Sequence, residues 1–199
     1  MLKKIFDFIL SLLGLTLTLP LLLLISFLIK KESPGPAFYR GKRTGKDGEE
    51  FRIFKFRTMV PDAENLGGPS TAGDDRRLLK IGSFLRKYQL DELPQLINVL
   101  KGEMSLVGPR PEVKMYVDMM TDEERKKILS VKPGMTDFAS LWNFHEGEIL
   151  KGAKEPEVIY MEKIRPEKIR LQLEYVKNRS FLLDLKIILK TILKIFITT

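Results

Sequence analysis

The strongest constraint on this chain is an uncharged apolar run from Phe8 to Ile29, "FILSLLGLTLTLPLLLLISFLI". Its 22 residues make a helix of roughly 33 Å, enough to cross a hydrocarbon layer of about 30 Å. The run is too long for the apolar part of a cleaved signal peptide, and no small-x-small cleavage site follows it. Two features set it apart from a plain span. Pro20 lies mid-run, where it removes a backbone hydrogen bond and kinks the helix. Lys3 and Lys4 precede the run and Lys30 and Lys31 follow it. A helix that bends and returns keeps both basic flanks on the cytoplasmic side. Arg40, Lys42 and Arg43 make the later flank the more basic, so charge alone leaves a re-entrant and a spanning helix both open. In either arrangement the rest of the chain faces the cytoplasm.

That remainder is one domain's worth of sequence. The chain has 199 residues and a formal net charge of +8, a balance that favours anionic partners: nucleic acid, phosphate ligands or anionic lipid surfaces. It has no cysteine, which excludes disulfides and thiolate metal sites. Its one histidine, His145, excludes a multi-histidine metal site, and a Ser-His-Asp triad would have to use it. No phosphate-binding glycine loop, dinucleotide fingerprint or zinc spacing is present. No nucleic-acid-binding motif appears, so no nucleic acid partner is expected.

Punctuation divides the domain. "ESPGP", Glu32 to Pro36, ends the membrane helix, because prolines and glycine do not continue it. "AFYRGKR" and "EFRIFKFRTM" then flank "TGKDG", which predicts a β-hairpin. Lys55 and Arg57 are two apart on its second strand and share one face, with Phe54 and Phe56 on the other. Residues 65–74 read as a loop, followed by a helix over 78–88. A second helix begins near Asp91 and stops at Gly102. "SLVGPRP" is a rigid linker. "TDEERKKILSV" is a short helix capped by Thr121, and Arg165-Pro166-Glu167 opens another. Trp142 and the phenylalanines near it read as core. In the segment 181–197, Lys186, Lys190 and Lys194 form an i, i+4, i+8 stripe on an apolar cylinder. That stripe suits a core helix with one wet face, or an in-plane helix whose lysines reach lipid headgroups.

The chemistry centres on "LDELPQL", where Asp91 and Glu92 stand together among cations. Asp91 could simply cap a helix, with Glu92 and Pro94 in its first turn. It could also react. A helix start receives phosphate, and nearby cations hold an aspartate ionised by lowering its pKa. An ionised carboxylate beside phosphate suits covalent phosphoryl transfer and suits Mg²⁺, which takes oxygen ligands. Lys55, Arg57, Arg86 and Arg110 are the candidate phosphate ligands, and Pro109 and Pro111 stiffen the backbone around Arg110.

"FRIFKFRTM", "LDELPQLINVLKGEMSLVGPRP" and "VKPGMT", behind a proline-containing apolar helix, together resemble the bacterial sugar transferase family. Its members are monotopic polyprenyl-phosphate phosphoglycosyl transferases, and the resemblance is to their small form, covering about residues 3–190. It implies an α+β, mainly helical fold: a re-entrant membrane helix over 1–31, broken at its proline, and a cytoplasmic-face transferase domain over 32–199 with the β-hairpin and interfacial helices. It implies that Asp91 attacks the β-phosphate of a UDP-sugar, releasing UMP, and that polyprenyl phosphate then takes the phosphosugar. Mg²⁺ is the implied cofactor, with Asp91 as its ligand, and Glu92 is assigned acceptor deprotonation or metal support. The implied partners are UDP-sugar, polyprenyl phosphate and membrane phospholipid at the bacterial inner membrane, with a homo-oligomer left open. The alternative from another class is a non-catalytic basic peripheral membrane protein that binds anionic lipid. Two stretches depart from the family's pattern: Asp75-Arg76-Arg77 has arginine where members often have proline, and "DFASLWNFHEGEILKG" replaces the usual continuation of "KPGMT".

Overall fold

The computed structural model describes residues 2–68 and 70–197; Met1, Pro69, Thr198 and Thr199, at the edges of the predicted regions and in the predicted loop, lie outside them. The first helix, α1 (Leu2–Glu32), takes up the whole apolar run and stays helical through Pro20, so the expected break there is corrected. Pro20 lacks the N–H that would bond the Thr16 carbonyl, but the turns around it remain helical.

One face of α1 docks along the domain. Leu22, Ile25 and Ile29 are buried at helical spacing and pack with Phe56, Leu79 and Leu85. At the other end, Asp7 accepts from Ser105 Oγ at 2.8 Å, and Lys3 donates to the Val107 carbonyl at 3.1 Å. The opposite face leaves Leu12, Leu13, Leu17, Leu24 and Phe27 exposed. Both halves of α1 therefore touch the same body, and its free face is apolar.

The predicted hairpin forms as two short ladders rather than one. β1 (Phe38–Tyr39) pairs with β4 (Lys55–Phe56), and β2 (Lys42–Thr44) pairs with β3 (Glu50–Arg52). The turn between β2 and β3 places Asp47 at φ 57° and Gly48 at φ 86°. Asn98 bridges the gap between the ladders, its Oδ1 accepting from Phe54 N at 2.8 Å and its Nδ2 donating to Arg52 O at 2.9 Å and Glu103 at 2.7 Å. Asn98→Ala leaves a buried backbone donor unpaired and is expected to cost about 2–3 kcal/mol. Urea unfolding checks this, through a lower midpoint with the same slope.

The helices that follow are α2 (Lys80–Lys87), α3 (Gln95–Leu100), α4 (Lys114–Asp118) and α5 (Asp122–Ile128). Thr121 caps α5 as expected, and Glu124 completes a reciprocal capping box. Between α3 and α4 lies β5 (Ser105–Val107), which pairs in parallel with β6 (Gly134–Thr136) after α5. The linker reading of "SLVGPRP" is thereby corrected in its first half. The approach at this pair is close: a Cβ on Gly134 would lie 2.0 Å from Gly108 N, so only glycine fits.

The chain ends with α6 (Phe138–Trp142), α7 (Glu146–Leu150), α8 (Pro156–Ile159), a π turn over Tyr160–Ile164, α9 (Arg165–Asn178) and α10 (Phe181–Ile197). The main core gathers Phe51, Ile53, Leu96, Val99, Leu106, Val107, Tyr175 and Ile187 from the hairpin, α3, β5, α9 and α10. Phe144 is buried as expected, but Trp142 is 46% exposed. The lysine stripe of α10 divides. Lys186 and Lys190 are exposed, whereas Lys194 donates to Leu141 O and sits over the Phe144 ring. Asp184 turns inward to Lys3 and to the Tyr175 hydroxyl, so the last helix is tied to the first.

Candidate active site

"LDELPQL" folds as a single 3₁₀ turn over Leu90–Glu92, with α3 beginning at Gln95. Gln89 opens the turn in the left-handed region at φ 54°. No side-chain cap bond forms at either start, so capping does not explain Asp91.

The two carboxylates have different surroundings. Glu92 accepts from Lys55 Nζ at 2.7 Å and from both terminal nitrogens of the Arg110 guanidinium, one of them at 3.0 Å. β4 delivers Lys55, and the β5–β6 pair aims Arg110, because Gly134 N bonds Pro109 O at 2.9 Å and fixes the turn ahead of it. Asp91 is 7% exposed and makes no hydrogen bond or close ion pair among the described residues. Lys55, Arg86 and Arg110 act on it electrostatically, with Glu92 opposing them. Arg86 reaches this region from α2, and its Nε donates to Thr58 Oγ1 at 3.0 Å.

Those placements invert the expected pKa pattern. Burial is the largest influence on Asp91 and raises its carboxyl above the ordinary value despite the cations. Burial also acts to raise Glu92, but Arg110 and Lys55 outweigh it and hold Glu92 well below the usual carboxylate range. The cations expected to depress Asp91 are spent on its neighbour. Lys55 is itself lowered, by burial first, with Glu92 opposing.

Arg57 does not join the cluster. Its guanidinium donates to Ser33 O at 2.8 Å, Ser33 Oγ at 3.1 Å and Pro34 O at 2.9 Å, at the end of α1. The strand logic that paired it with Lys55 fails because β4 ends at Phe56. Thus Lys55, Arg86 and Arg110 surround the acid pair, and Arg57 holds the end of α1 instead. Asp75 was not picked out as a site residue. It pairs with Arg77 at 2.7 Å and adds to the field around Arg86. Asn98 was missed too, although its side chain sets the hairpin against α3. A polar residue in the otherwise apolar "LINVL" was the available signal.

A family model described as bacterial sugar transferase matches residues 1–198. The chain belongs to the bacterial sugar transferase family. The chain is 36% identical over 192 residues to the UDP-N-acetylgalactosamine-undecaprenyl-phosphate N-acetylgalactosaminephosphotransferase of Aeromonas hydrophila, covering 96% of this chain and 42% of that protein. It is 36% identical over 204 residues to the UDP-glucose:undecaprenyl-phosphate glucose-1-phosphate transferase of Escherichia coli, covering 99% of this chain and 40% of that protein. An uncharacterised sugar transferase of Bacillus subtilis is 35% identical over 197 residues, covering 99% of this chain and 88% of that protein. The chain therefore spans less than half the length of the first two relatives and most of the third.

Proposed function

We propose that this sugar transferase moves a phosphosugar from a UDP-sugar to membrane polyprenyl phosphate, giving polyprenyl-diphosphate-sugar and UMP. The observation that carries this reading is Asp91: a buried carboxylate with no bonded partner among the described residues, beside Lys55, Arg86 and Arg110. An oxygen of Asp91 attacks the β-phosphorus, and the bond from that phosphorus to the bridging oxygen breaks. UMP leaves with that oxygen, and the phosphosugar stays on Asp91. A phosphate oxygen of the polyprenyl acceptor then attacks the same phosphorus and frees the carboxylate. The covalent stage lets a water-soluble donor and a lipid-held acceptor react in turn. The arginine forks and Lys55 suit the spread negative charge of the transferring group.

A carboxylate held as low as Glu92 is a weak base. Its part in this reading is to hold Lys55 and Arg110 in place, rather than to deprotonate the acceptor.

Mg²⁺ is expected with this chemistry. Among the described residues no group of three or more His, Asp or Glu is arranged to hold a metal. Magnesium commonly takes one or two carboxylates plus substrate phosphates and water, so Asp91, the carboxylate left free, fits as its protein ligand. When bound, Mg²⁺ supplies neutralisation of phosphate charge.

The docked α1 supports placement at the cytoplasmic face of the inner membrane. A helix held by one domain along both halves, with leucines on its free face, suits burial in one leaflet with both ends on one side.

The deciding experiment incubates the protein in lipid nanodiscs with Mg²⁺, polyprenyl phosphate and a panel of UDP-sugars. UMP is the expected nucleotide, and label from the donor β-phosphate is expected on the protein before acceptor is added. UDP as the product would replace the reading with simple glycosyl transfer. No nucleotide release from any donor would leave a lipid-binding protein.

The pH profile offers a separate check. Asp91 must be ionised to attack, and burial raises its pKa, so the acid limb of kcat/KM is expected above the ordinary aspartate value of 3.8. A limb at or below that value would count against Asp91 as the nucleophile.

A further inference from the structure

Two residues outside the reacting cluster join the end of α1 to two of its cations. Glu32, the last residue of α1, accepts from Lys80 N at 2.6 Å and from Ile81 N at 3.0 Å. Its carboxylate therefore takes the free N–H groups at the start of α2, the helix that carries Arg86. Arg57 is 7% exposed and grips the next two residues, Ser33 and Pro34, through three hydrogen bonds. It stands two residues after Lys55 on the same extended segment.

The joint is tight on its third side as well. Leu79 N donates to Thr58 O at 2.9 Å, and a Cβ on Gly82 would lie 2.0 Å from that oxygen, so α2 sits directly against the strand's continuation. Leu22, Ile25 and Ile29 seat α1 on Phe56, Leu79 and Leu85 immediately beside these contacts. A shift of α1 has no slack in which to be absorbed before it reaches Lys55 and Arg86.

We infer that Glu32 and Arg57 are positioning residues that couple the seating of the membrane helix to the placement of Arg86 and Lys55 beside Asp91. The inference rests on the proposed phosphosugar transfer. Neither residue touches the reacting atoms. Their effect is that the cations are correctly set when α1 is held as the bilayer holds it, so catalysis answers to the state of the membrane helix.

The test measures UMP release and melting temperature for wild type, Glu32→Ala, Glu32→Asp and Arg57→Lys, in nanodiscs of two bilayer thicknesses. Glu32→Ala is expected to lower kcat about tenfold, with KM for the UDP-sugar changed less than about threefold, because small misplacements of charge act on the transition state. Glu32→Asp, which still presents a carboxylate to α2, is expected to restore most of kcat. Arg57→Lys keeps the charge but loses the fork, and is expected to lower kcat like Glu32→Ala while still folding. Wild type is expected to respond to bilayer thickness, and Glu32→Ala to respond less.

A kcat within about twofold of wild type in both Glu32→Ala and Arg57→Lys overturns the inference. So does a kcat loss that only follows the fall in melting temperature, with thickness dependence unchanged. Wild type that releases no UMP defeats the proposed function and this inference with it, an outcome distinct from an active wild type with unaffected variants.

Discussion

Asp91→Asn is expected to lower UMP release by about three orders of magnitude or more, as loss of a covalent nucleophile does. The same substitution is expected to make the protein more stable. In the native state burial raises the Asp91 pKa. The fold therefore favours its protonated form: that preference is fully present below the unfolded pKa and is lost as pH rises through the folded one. Wherever Asp91 is ionised in the folded protein, it is so at a cost. A neutral amide of the same shape removes that cost, worth about 1 kcal/mol, or about 2–4 °C in melting temperature for a chain of this size. Turnover assays and thermal melts on one preparation check both halves. An asparagine variant that melts earlier, or that retains substantial activity, contradicts the reading of Asp91 as a buried group held ready for attack.

Glu92→Gln is expected to act in the opposite sense on stability. Glu92 lies between Lys55 at 2.7 Å and Arg110, with side-chain exposures of only 14%, 18% and 29% for Glu92, Lys55 and Arg110. Removing its charge leaves two partly buried cations facing each other, a loss on the order of 3 kcal/mol. Because the folded pKa of Glu92 is depressed, its contribution is present above the ordinary glutamate value of 4.5 and lost as pH falls below it. The wild type should thus lose stability on acidification more steeply than the glutamine variant, as chemical unfolding at pH 7 and pH 3 will show. Activity should fall as well, through displaced cations, and the acid limb should move to lower pH, because the charge of Glu92 is one of the influences that raise Asp91. A limb that stays in place would count against Asp91 as the group that sets it.

The sequence carried the parts of this protein that depend on local pattern. The apolar run, the Thr121 cap, the hairpin turn at Asp47-Gly48 and the acid pair were all legible, since each is written in neighbouring residues. What escaped was set by distant contacts. Lys55 and Arg57 look equivalent in "KFRTM", yet the strand ends between them and only Lys55 faces Glu92. The parallel pairing of "SLV" with "GMT" joins segments separated by two helices, and no periodicity announces it. The pKa order of Asp91 and Glu92 depended on which carboxylate the cations bond, a choice made by the hairpin and the "GPRP" turn together. Pro20 misled differently: a proline that favours a break is accommodated in a continuous helix supported along one side.

The tie between Lys3 and Asp184 has a consequence for how this protein is made. The two residues are 181 positions apart, and the link also involves Val107 and Tyr175. It cannot close until nearly all of the chain has been synthesised. The first helix is translated long before its buried face has anything to pack against, so on the proposed membrane placement the bilayer shelters Leu22, Ile25 and Ile29 in the interval. On that placement the domain assembles against a helix already in lipid, and long sequence separation makes that docking slow. Translation without a membrane should therefore yield aggregates, because the earliest-made segment has no other apolar refuge.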